Sequence, residues 1–289
     1  MTVSGAVVML CTVCRANTIR KVVFSEYGID VLRCRECGHI MSSYEAGQNY
    51  EEYFDQPGRL ETFWWDQAHR SMYADFRRRL LPAGTGRLLD VGAGLGYFVR
   101  TICDESDWEA YGCEISAGAV RYAKEVLGVT SISCGTLEES GHQPSSFDLI
   151  TMWDVIEHIP NPDPLLLQIA RLLKPQGTLF LHTPNAPVQL LKAQIKKAIK
   201  GARSEEHYLE ARDHINLYSA TGIARVLGRC GFSDVRFEHL SPIQSVAGCG
   251  DNRLFRWAKN GYFAVARSLS WASGGKLNID NLFVTAIRP

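Results

Sequence analysis

Short hydrophobic runs alternate with helical patterns over residues 87–182 of the chain. The runs near 87–91, 109–113, 130–133, 147–152 and 177–182 have the length and composition of buried strands. Between them, apolar side chains recur at helical spacing. This alternation predicts an α/β fold, in which a parallel sheet carries helices on both faces. Ligands in such sheets bind at the carboxyl ends of the strands.

Two segments precede this region. Residues 9–42 hold two stretches of alternating apolar and polar side chains around Tyr27-Gly28, and they predict the strands of a small ribbon. Residues 43–81 are rich in aromatic side chains and predict a helical linker that packs between the ribbon and the main domain at 82–289. The alternative is that some of these aromatics, such as Tyr53 or Trp64, line a substrate cleft.

Two insertions are predicted within the main domain, near 186–212 and 241–276. The first contains a basic amphipathic helix at 190–201, and the second contains two aromatic-rich helical stretches. We expect these helices to cover a substrate cleft, with transient contact to a membrane surface as the alternative. No apolar run approaches the roughly 20 residues of a membrane span.

A glycine-rich turn follows the first strand of the alternating region, in the sequence RLLDVGAGLGYF. Gly92 and Gly94 let the backbone turn tightly and approach a ligand. Gly96 comes too early for a nicotinamide or flavin fingerprint. Asp90 is placed to attract a cation, and Glu114, at the end of the next strand, to accept hydrogen bonds from both hydroxyls of a ribose. The pattern predicts a nucleotide-type site.

Four of the nine cysteines form a CxxC…CxxC array, with 19 residues between the pairs. This spacing is typical of a structural zinc site, because each pair puts two thiolates on one tight turn and two turns complete a tetrahedron. Zinc is favoured over disulfides or redox chemistry because the rest of the sequence has a cytoplasmic character. The predicted ligands are Cys11, Cys14, Cys34 and Cys37. The remaining cysteines are predicted to be buried apolar residues, namely Cys103, Cys113, Cys134, Cys230 and Cys249.

Lys and Arg together number 31, as do Asp and Glu, so the chain is neutral. This balance makes nucleic acid an improbable partner for the chain as a whole. The first residues lack a basic region and a cleavage pattern, so no signal peptide is predicted and we expect a cytoplasmic protein. The sequence makes no prediction of the oligomeric state.

Five motifs carry a resemblance to class I S-adenosylmethionine-dependent methyltransferases, closest to the group of ubiquinone-pathway, natural-product and sugar methyltransferases. The motifs are DVGAGLG at 90–96, YGCEIS at 111–116, FDLITMWDVIEHIPNP at 147–162, LLKPQGTLFL at 172–181 and HINLYS at 214–219. The resemblance implies a Rossmann-like sheet of seven strands, with the last near Phe283, and Leu137 packing on the adenine. The implied S-adenosylmethionine-binding residues are Asp90, Gly92, Gly94, Gly96, Glu114, Leu137, Trp153 and Asp154.

Methyl transfer to a hydroxyl needs a positioned acceptor and a base. His158, after the fourth strand of the alternating region, is the first candidate because an imidazole titrates near neutrality; its alternative role is to hydrogen-bond the backbone. His182 and His214 are further candidates. The segment 154–158 also resembles the acid-x-x-Glu-His motif of ubiquinone-pathway and small-RNA 2′-O-methyltransferases. This likeness implies Mg²⁺ at Asp154, Glu157 and His158.

The predicted activity is O- or C-methylation of a small-molecule acceptor, such as a sugar, polyketide-like or quinone-like compound. The alternative is a cofactor-binding module whose ribbon recognises RNA or protein. Five basic residues make the ribbon locally positive, namely Arg15, Arg20, Lys21, Arg33 and Arg35.

Overall fold

The computed structural model describes residues 8–44, 59–200, 208–241, 253–273, 279 and 281–289. Within them the strands are β1 (Val8–Leu10), β2 (Asn17–Glu26), β3 (Ile29–Cys34), β4 (Ile40–Ser42), β5 (Arg87–Val91), β6 (Glu109–Glu114), β7 (Ile132–Cys134), β8 (Phe147–Trp153), β9 (Leu173–Thr183), β10 (Asn216–Leu217), β11 (Ser233–Glu238) and β12 (Leu282–Ile287). The α-helices are α1 (Arg59–Arg79), α2 (Tyr97–Glu105), α3 (Ala117–Glu125), α4 (Asp163–Leu172), α5 (Ala186–Lys200), α6 (Ala220–Arg229) and α7 (Arg253–Ala272). A 3₁₀ turn spans Ile156–His158.

Seven strands form the main sheet, in the order β11-β12-β9-β8-β5-β6-β7. The pairs from β9 to β7 are parallel, and β12 runs antiparallel to both of its neighbours. The predicted α/β fold with a seven-stranded sheet flanked by helices is confirmed. β9 begins at Leu173, earlier than the predicted start at residue 177. Pro175 and Gln176, which lie before that predicted start, are part of the strand.

Aromatic and aliphatic side chains of α1 and α2 cover one side of the main sheet. Phe76 of α1 packs edge-on against Phe98 of α2, with ring centroids 5.3 Å apart, and against Trp153 of β8 at 5.5 Å. Phe76 is completely buried. These contacts fit the packing role predicted for the aromatic residues at 43–81, whereas Tyr44, Trp65 and Tyr73 line a cavity, as the alternative expects. Tyr53 and the side chain of Trp64 lie outside the described residues.

The ribbon sheet has the order β1-β2-β3-β4-β10 and is antiparallel. Its fifth strand comes from the distant segment after α5, with Asn216 opposite Met41 and Leu217 opposite Ile40. Arg229 of α6 donates hydrogen bonds to the carbonyls of Thr12 and Val13, within the first CxxC turn. The ribbon is therefore held to the main domain by backbone pairing and by side-chain hydrogen bonds.

Helices occur in both predicted insertions, as α5 and α7. In the part of the chain that the structure describes, no helix is both long and apolar enough to cross a bilayer. The prediction of buried lone cysteines is correct for Cys113 and Cys230 but wrong for Cys103 and Cys134, which are exposed. Cys103 lies on α2, and Cys134 is the last residue of the short strand β7. Cys249 lies outside the described residues.

Candidate functional site

A cavity of about 1520 Å³ opens at the carboxyl ends of β5, β6 and β8. All eight predicted cofactor residues line it, and so do His158 and His214. The cavity has two recognisable halves. The cofactor half is the side lined by residues 90–98, 113–115 and 135–138. The acceptor half is the side lined by residues 10–12, 41–44, 158–165 and 208–217.

The glycine loop adopts backbone angles that other residues rarely take. Gly92, Gly94 and Gly96 have φ values of 75°, 51° and 86°. A Cβ on Gly92 would lie 2.5 Å from a methyl carbon of Val155, and one on Gly96 would lie 2.9 Å from the Cβ of Ala123. The loop therefore requires glycine for conformation and for space. Gly96 then serves as the N-cap of α2, whose first residues, Tyr97 and Phe98, line the cavity.

Two buried carboxylates flank the loop. Glu114 accepts the N–H of Gly94 and of Ser116, both at 2.8 Å, so it ties the loop to β6. Asp90 accepts the hydroxyl of Thr151 at 2.7 Å. Burial, with a further contribution from the charge of Glu114, raises the pKa of Asp90 to about 8. Burial removes the water that would stabilise the charge of Asp90. A cationic ligand next to Asp90 would stabilise the ionised carboxylate in place of that water.

His158 and His214 stand together in the acceptor half, with ring centroids 5.0 Å apart. Nδ1 of His158 donates to the carbonyl of Asp213 at 3.0 Å, so the lone pair is on Nε2 in that tautomer. Burial lowers the pKa of His158, and the neighbouring His214 lowers it further. The ring is therefore neutral near pH 7, which is the state that accepts a proton.

His182 is not placed like the other two candidates. It is fully buried, does not line the cavity, and has its Nδ1 3.0 Å from Oδ1 of Asp154. Burial raises the pKa of Asp154, but His182, together with His69 and His214, lowers it, and the net shift is downward. Asp154 itself lies in the left-handed region, with φ of 51°. His182 therefore lies behind Asp154 and not on the cavity wall, and its role as a base stays a prediction.

The candidate metal donors also differ from the sequence-based set. Apart from the four ribbon cysteines, the described residues that bring their donor atoms within 4.8 Å of one another are Glu157, His158 and His214. Asp154 is paired with His182 instead. Oε2 of Glu157 accepts the hydroxyl of Thr183 at 2.9 Å, which orients the carboxylate. One carboxylate and two imidazoles suit a first-row transition metal better than Mg²⁺, which prefers oxygen donors.

The ribbon contributes side chains to the acceptor half that the sequence patterns did not single out, including Thr12, Met41 and Ser42. Glu26 at the end of β2 was also missed. Its carboxylate accepts three backbone N–H groups from residues 208, 209 and 211, at 2.9, 3.0 and 2.6 Å. It thereby anchors the segment that carries His214. An isolated acidic residue at a strand end has no sequence signal for such a role.

The four ribbon cysteines form a compact cluster, and none of them lines the cavity. The sulfur atoms of Cys11 and Cys37 are 3.6 Å apart, and those of Cys14 and Cys34 are 3.7 Å apart. A tetrahedral zinc with bonds of about 2.3 Å to sulfur has sulfur–sulfur edges of about 3.8 Å. A disulfide would need about 2.05 Å. The donor set and its spacing fit zinc.

Comparison with known proteins agrees with this geometry. The family model described as a methyltransferase domain matches residues 64–236. The chain belongs to this family. Ubiquinone biosynthesis O-methyltransferase of Methylococcus capsulatus is 29% identical over 171 residues, covering 57% of this chain and 68% of the relative. The enzyme of the same name from Xanthomonas oryzae pv. oryzae is 28% identical over 162 residues, covering 48% of this chain and 64% of the relative. The methyltransferase chain thus spans about two thirds of the length of these relatives.

Solved structures show the same fold. Phosphoethanolamine N-methyltransferase 2 of Haemonchus contortus, in complex with S-adenosyl-L-methionine, has a TM-score of 0.55 and 19% identity, covering 86% of this chain and 63% of that chain. A SAM-dependent methyltransferase of Thermotoga maritima has a TM-score of 0.53 and 17% identity, covering 83% and 100%. The chain therefore carries an S-adenosylmethionine-dependent methyltransferase domain, and its cavity residues fit that cofactor.

Proposed function

We propose that this methyltransferase methylates a hydroxyl or an acidic carbon of a small-molecule acceptor, with His158 as the general base. One observation carries the proposal: His158 lines the same cavity as the glycine loop, and its neutral ring has Nε2 as the proton-accepting nitrogen. The curated relatives are named for O-methylation in ubiquinone biosynthesis, which supports a hydroxyl of a quinone-like ring among the acceptors.

The chain's own residues supply binding and proton transfer. Bound S-adenosylmethionine supplies an electrophilic methyl group. Asp90 and Glu114 would hold the cofactor's ammonium and ribose, Leu137 would pack on the adenine, and the apolar ring of Trp153 would border the methionine chain. His158 then removes the acceptor proton as the new bond forms. Side chains of the ribbon and of the 208–217 segment would exclude water from the acceptor half.

We also propose zinc in the ribbon, and a second divalent ion held by Glu157, His158 and His214 as the alternative to the base role of His158. The first is supported by the sulfur spacing and the second by the 4.8 Å donor group. Bound there, such an ion would supply a positive charge that favours loss of the acceptor proton, and His158 would then be a ligand and not a base. The two roles of His158 are distinguished by whether turnover requires a divalent metal ion.

The alternative of an RNA-recognition module has less support. Arg15 is paired with Asp163, and Arg20 is only 6% exposed, so two of the five basic ribbon side chains are engaged within the protein. We expect single-stranded RNA to show no retention by the full chain at physiological salt. Tight, salt-sensitive binding without methyl transfer would favour the alternative instead.

The test of His158 uses radiolabelled S-adenosylmethionine and a panel of dihydroxybenzoates, sugars and phenolic polyketides. With the best acceptor, His158→Ala should lower kcat by about 100-fold or more, while the cofactor Kd stays within about threefold. The matched control is His142→Ala, since His142 packs on Phe147 outside the cavity. Wild-type turnover in His158→Ala would overturn the assignment.

Metal analysis completes this test. We expect zinc bound to the purified protein, and a chelator that leaves that zinc in place should abolish turnover only if the second ion is used. Burial lowers the pKa of His158, so a metal-independent enzyme should keep its kcat plateau down to about pH 6.5 and lose rate below it. A fall that begins above pH 7.5 would contradict the base role.

A further inference from the structure

Helix α5 exposes a continuous apolar stripe. Leu191, Ile195 and Ile199 are 57%, 50% and 79% exposed, and their spacing of four residues puts them on one face of the helix. Leu190 and Ala193 lie on the other side of α5, buried in a cluster with residues of the ribbon. Helix α5 therefore has two apolar faces, and the described residues cover one of them.

Helix α7 has the same character. Trp257 and Trp271 are 79% and 86% exposed, and Val265 and Leu269 are 54% and 39% exposed. Of the α7 side chains that the structure describes, Ala266 alone is buried. Exposed tryptophans of this kind are costly in water and favourable at a membrane–water interface, where an amphipathic ring is half solvated.

The two helices are neighbours. Nζ of Lys192 on α5 lies 5.2 Å from the ring centroid of Tyr262 on α7. Their exposed apolar side chains thus belong to one region of the molecule, which we call the α5–α7 surface. It consists of Leu191, Ile195, Ile199, Trp257, Tyr262, Val265, Leu269 and Trp271.

The same two helices are strongly basic in an otherwise neutral chain. Together they contain eight Lys and Arg residues and no Asp or Glu, whereas the whole chain has 31 of each sign. Lys196 and Arg267 are both exposed. Exposed apolar side chains combined with several cations and no acidic residue are the pattern of helices that lie in the plane of an anionic bilayer.

The exposed apolar side chains of α5 and α7 do not line the cavity, so binding of a ligand there does not explain their presence. None of the described residues of α7 lines it, and α5 contributes Gln189 alone. A second copy of this chain is also a poor occupant, because a symmetric contact would bring cationic helices against their own copies. An anionic lipid surface satisfies the apolar side chains and the charge together.

We propose that the α5–α7 surface docks the methyltransferase peripherally on an anionic lipid bilayer. The apolar stripes and tryptophans enter the headgroup–acyl boundary, and the lysines and arginines face the anionic headgroups. The docking is reversible, because it uses surface helices and no spanning segment. It does not depend on the acceptor or on methyl transfer.

The test is co-sedimentation of the full chain with vesicles of phosphatidylcholine alone or mixed with phosphatidylglycerol. We expect binding to the mixed vesicles, weakened by salt and accompanied by a blue shift of tryptophan emission. The double variant Lys196→Gln/Arg267→Gln should lower the partition coefficient roughly 30-fold, as two cations near an anionic surface predict. Binding equally tight to both vesicle types, or to neither, would overturn the proposal.

The apolar stripe is tested by Ile195→Asp/Leu269→Asp, which should abolish vesicle binding. The matched control is Leu167→Asp, since Leu167 is 55% exposed on α4 and lies outside the α5–α7 surface. All variants should keep the cofactor Kd, which shows that they fold. Light scattering that shows a dimer in buffer, dissociated by Ile195→Asp/Leu269→Asp, would assign the surface to self-association instead.

Discussion

The two halves of the cavity are assembled in different ways. The cofactor half comes mainly from one continuous stretch, β5 through the start of α2, closed by Glu114 on the adjacent strand. The acceptor half joins ribbon residues such as Thr12 and Met41 to His158 and to Arg212, which are far apart in sequence. Local backbone geometry builds the first half, and long-range pairing builds the second.

The two halves of the cavity should therefore differ in how well they tolerate amino-acid substitutions. The cofactor half depends on φ angles and a few close contacts within the loop, so a single added carbon should disable it. The acceptor half depends on how the ribbon and the 208–217 segment are held together, chiefly through Glu26 and the β4–β10 pair. Changes there should alter acceptor use and leave cofactor binding intact.

The largest effect is expected at the glycine loop. Gly92→Ala should weaken S-adenosylmethionine binding by about 100-fold, since left-handed strain alone costs roughly 1–2 kcal/mol and the new Cβ would also meet Val155 at 2.5 Å. Calorimetry measures the Kd. The control is Gly84→Ala, where φ is also positive but no atom lies within 4 Å of the new carbon. Equal affinity losses in the two variants would mean that the close contact is irrelevant.

A smaller effect is expected from pH. The pKa of Asp90 is about 8, so below that value the carboxyl binds a proton that a cationic ligand must displace. Cofactor affinity should therefore fall as the pH is lowered from 7.5 to 6, by at most tenfold per pH unit, while the ligand's own amine stays charged. Proton release on binding, measured in buffers of different ionisation enthalpy, checks this. Asp90→Asn should bind weakly and show no such slope.

The smallest effect is expected in the acceptor half. Glu26→Gln removes the charge that binds three backbone N–H groups, and it should lower kcat/KM for the acceptor about tenfold, corresponding to a loss of about 1.5 kcal/mol. Cofactor Kd should stay within about twofold. Glu36→Gln, an exposed carboxylate on the same ribbon, is the control. A parallel loss of cofactor affinity would show that the two halves are not independent.

Much of the cofactor half could be predicted because its requirements are local. Glycine at positions 92, 94 and 96 follows from the positive φ angles that the turn needs, and Glu114 follows from the next strand of a parallel sheet. The CxxC pairs are predictable for the same reason, since each pair sits on one tight turn. Their sulfur spacing agrees with the expected donor geometry.

The acceptor half could not be predicted to the same extent. β4 and β10 have three and two residues, too few for a detectable period, and their pairing joins segments 175 residues apart at Asn216 and Met41. The approach of His214 to His158 depends on that pairing. Asp154 contacts His182 from a backbone in the left-handed region. Non-glycine residues rarely adopt this conformation, and the sequence has no signal for it.

The sequence by itself determined the α/β sheet, the glycine loop and the paired cysteines, because periodicity, turn conformation and ligand spacing act over a few residues. Only the tertiary structure decided which histidines meet in the cavity and which carboxylate joins them. It also decided that the ribbon forms one wall of the cavity and that α5 and α7 keep apolar faces uncovered. Those outcomes depend on which distant surfaces pack together, and short-range patterns do not encode that choice.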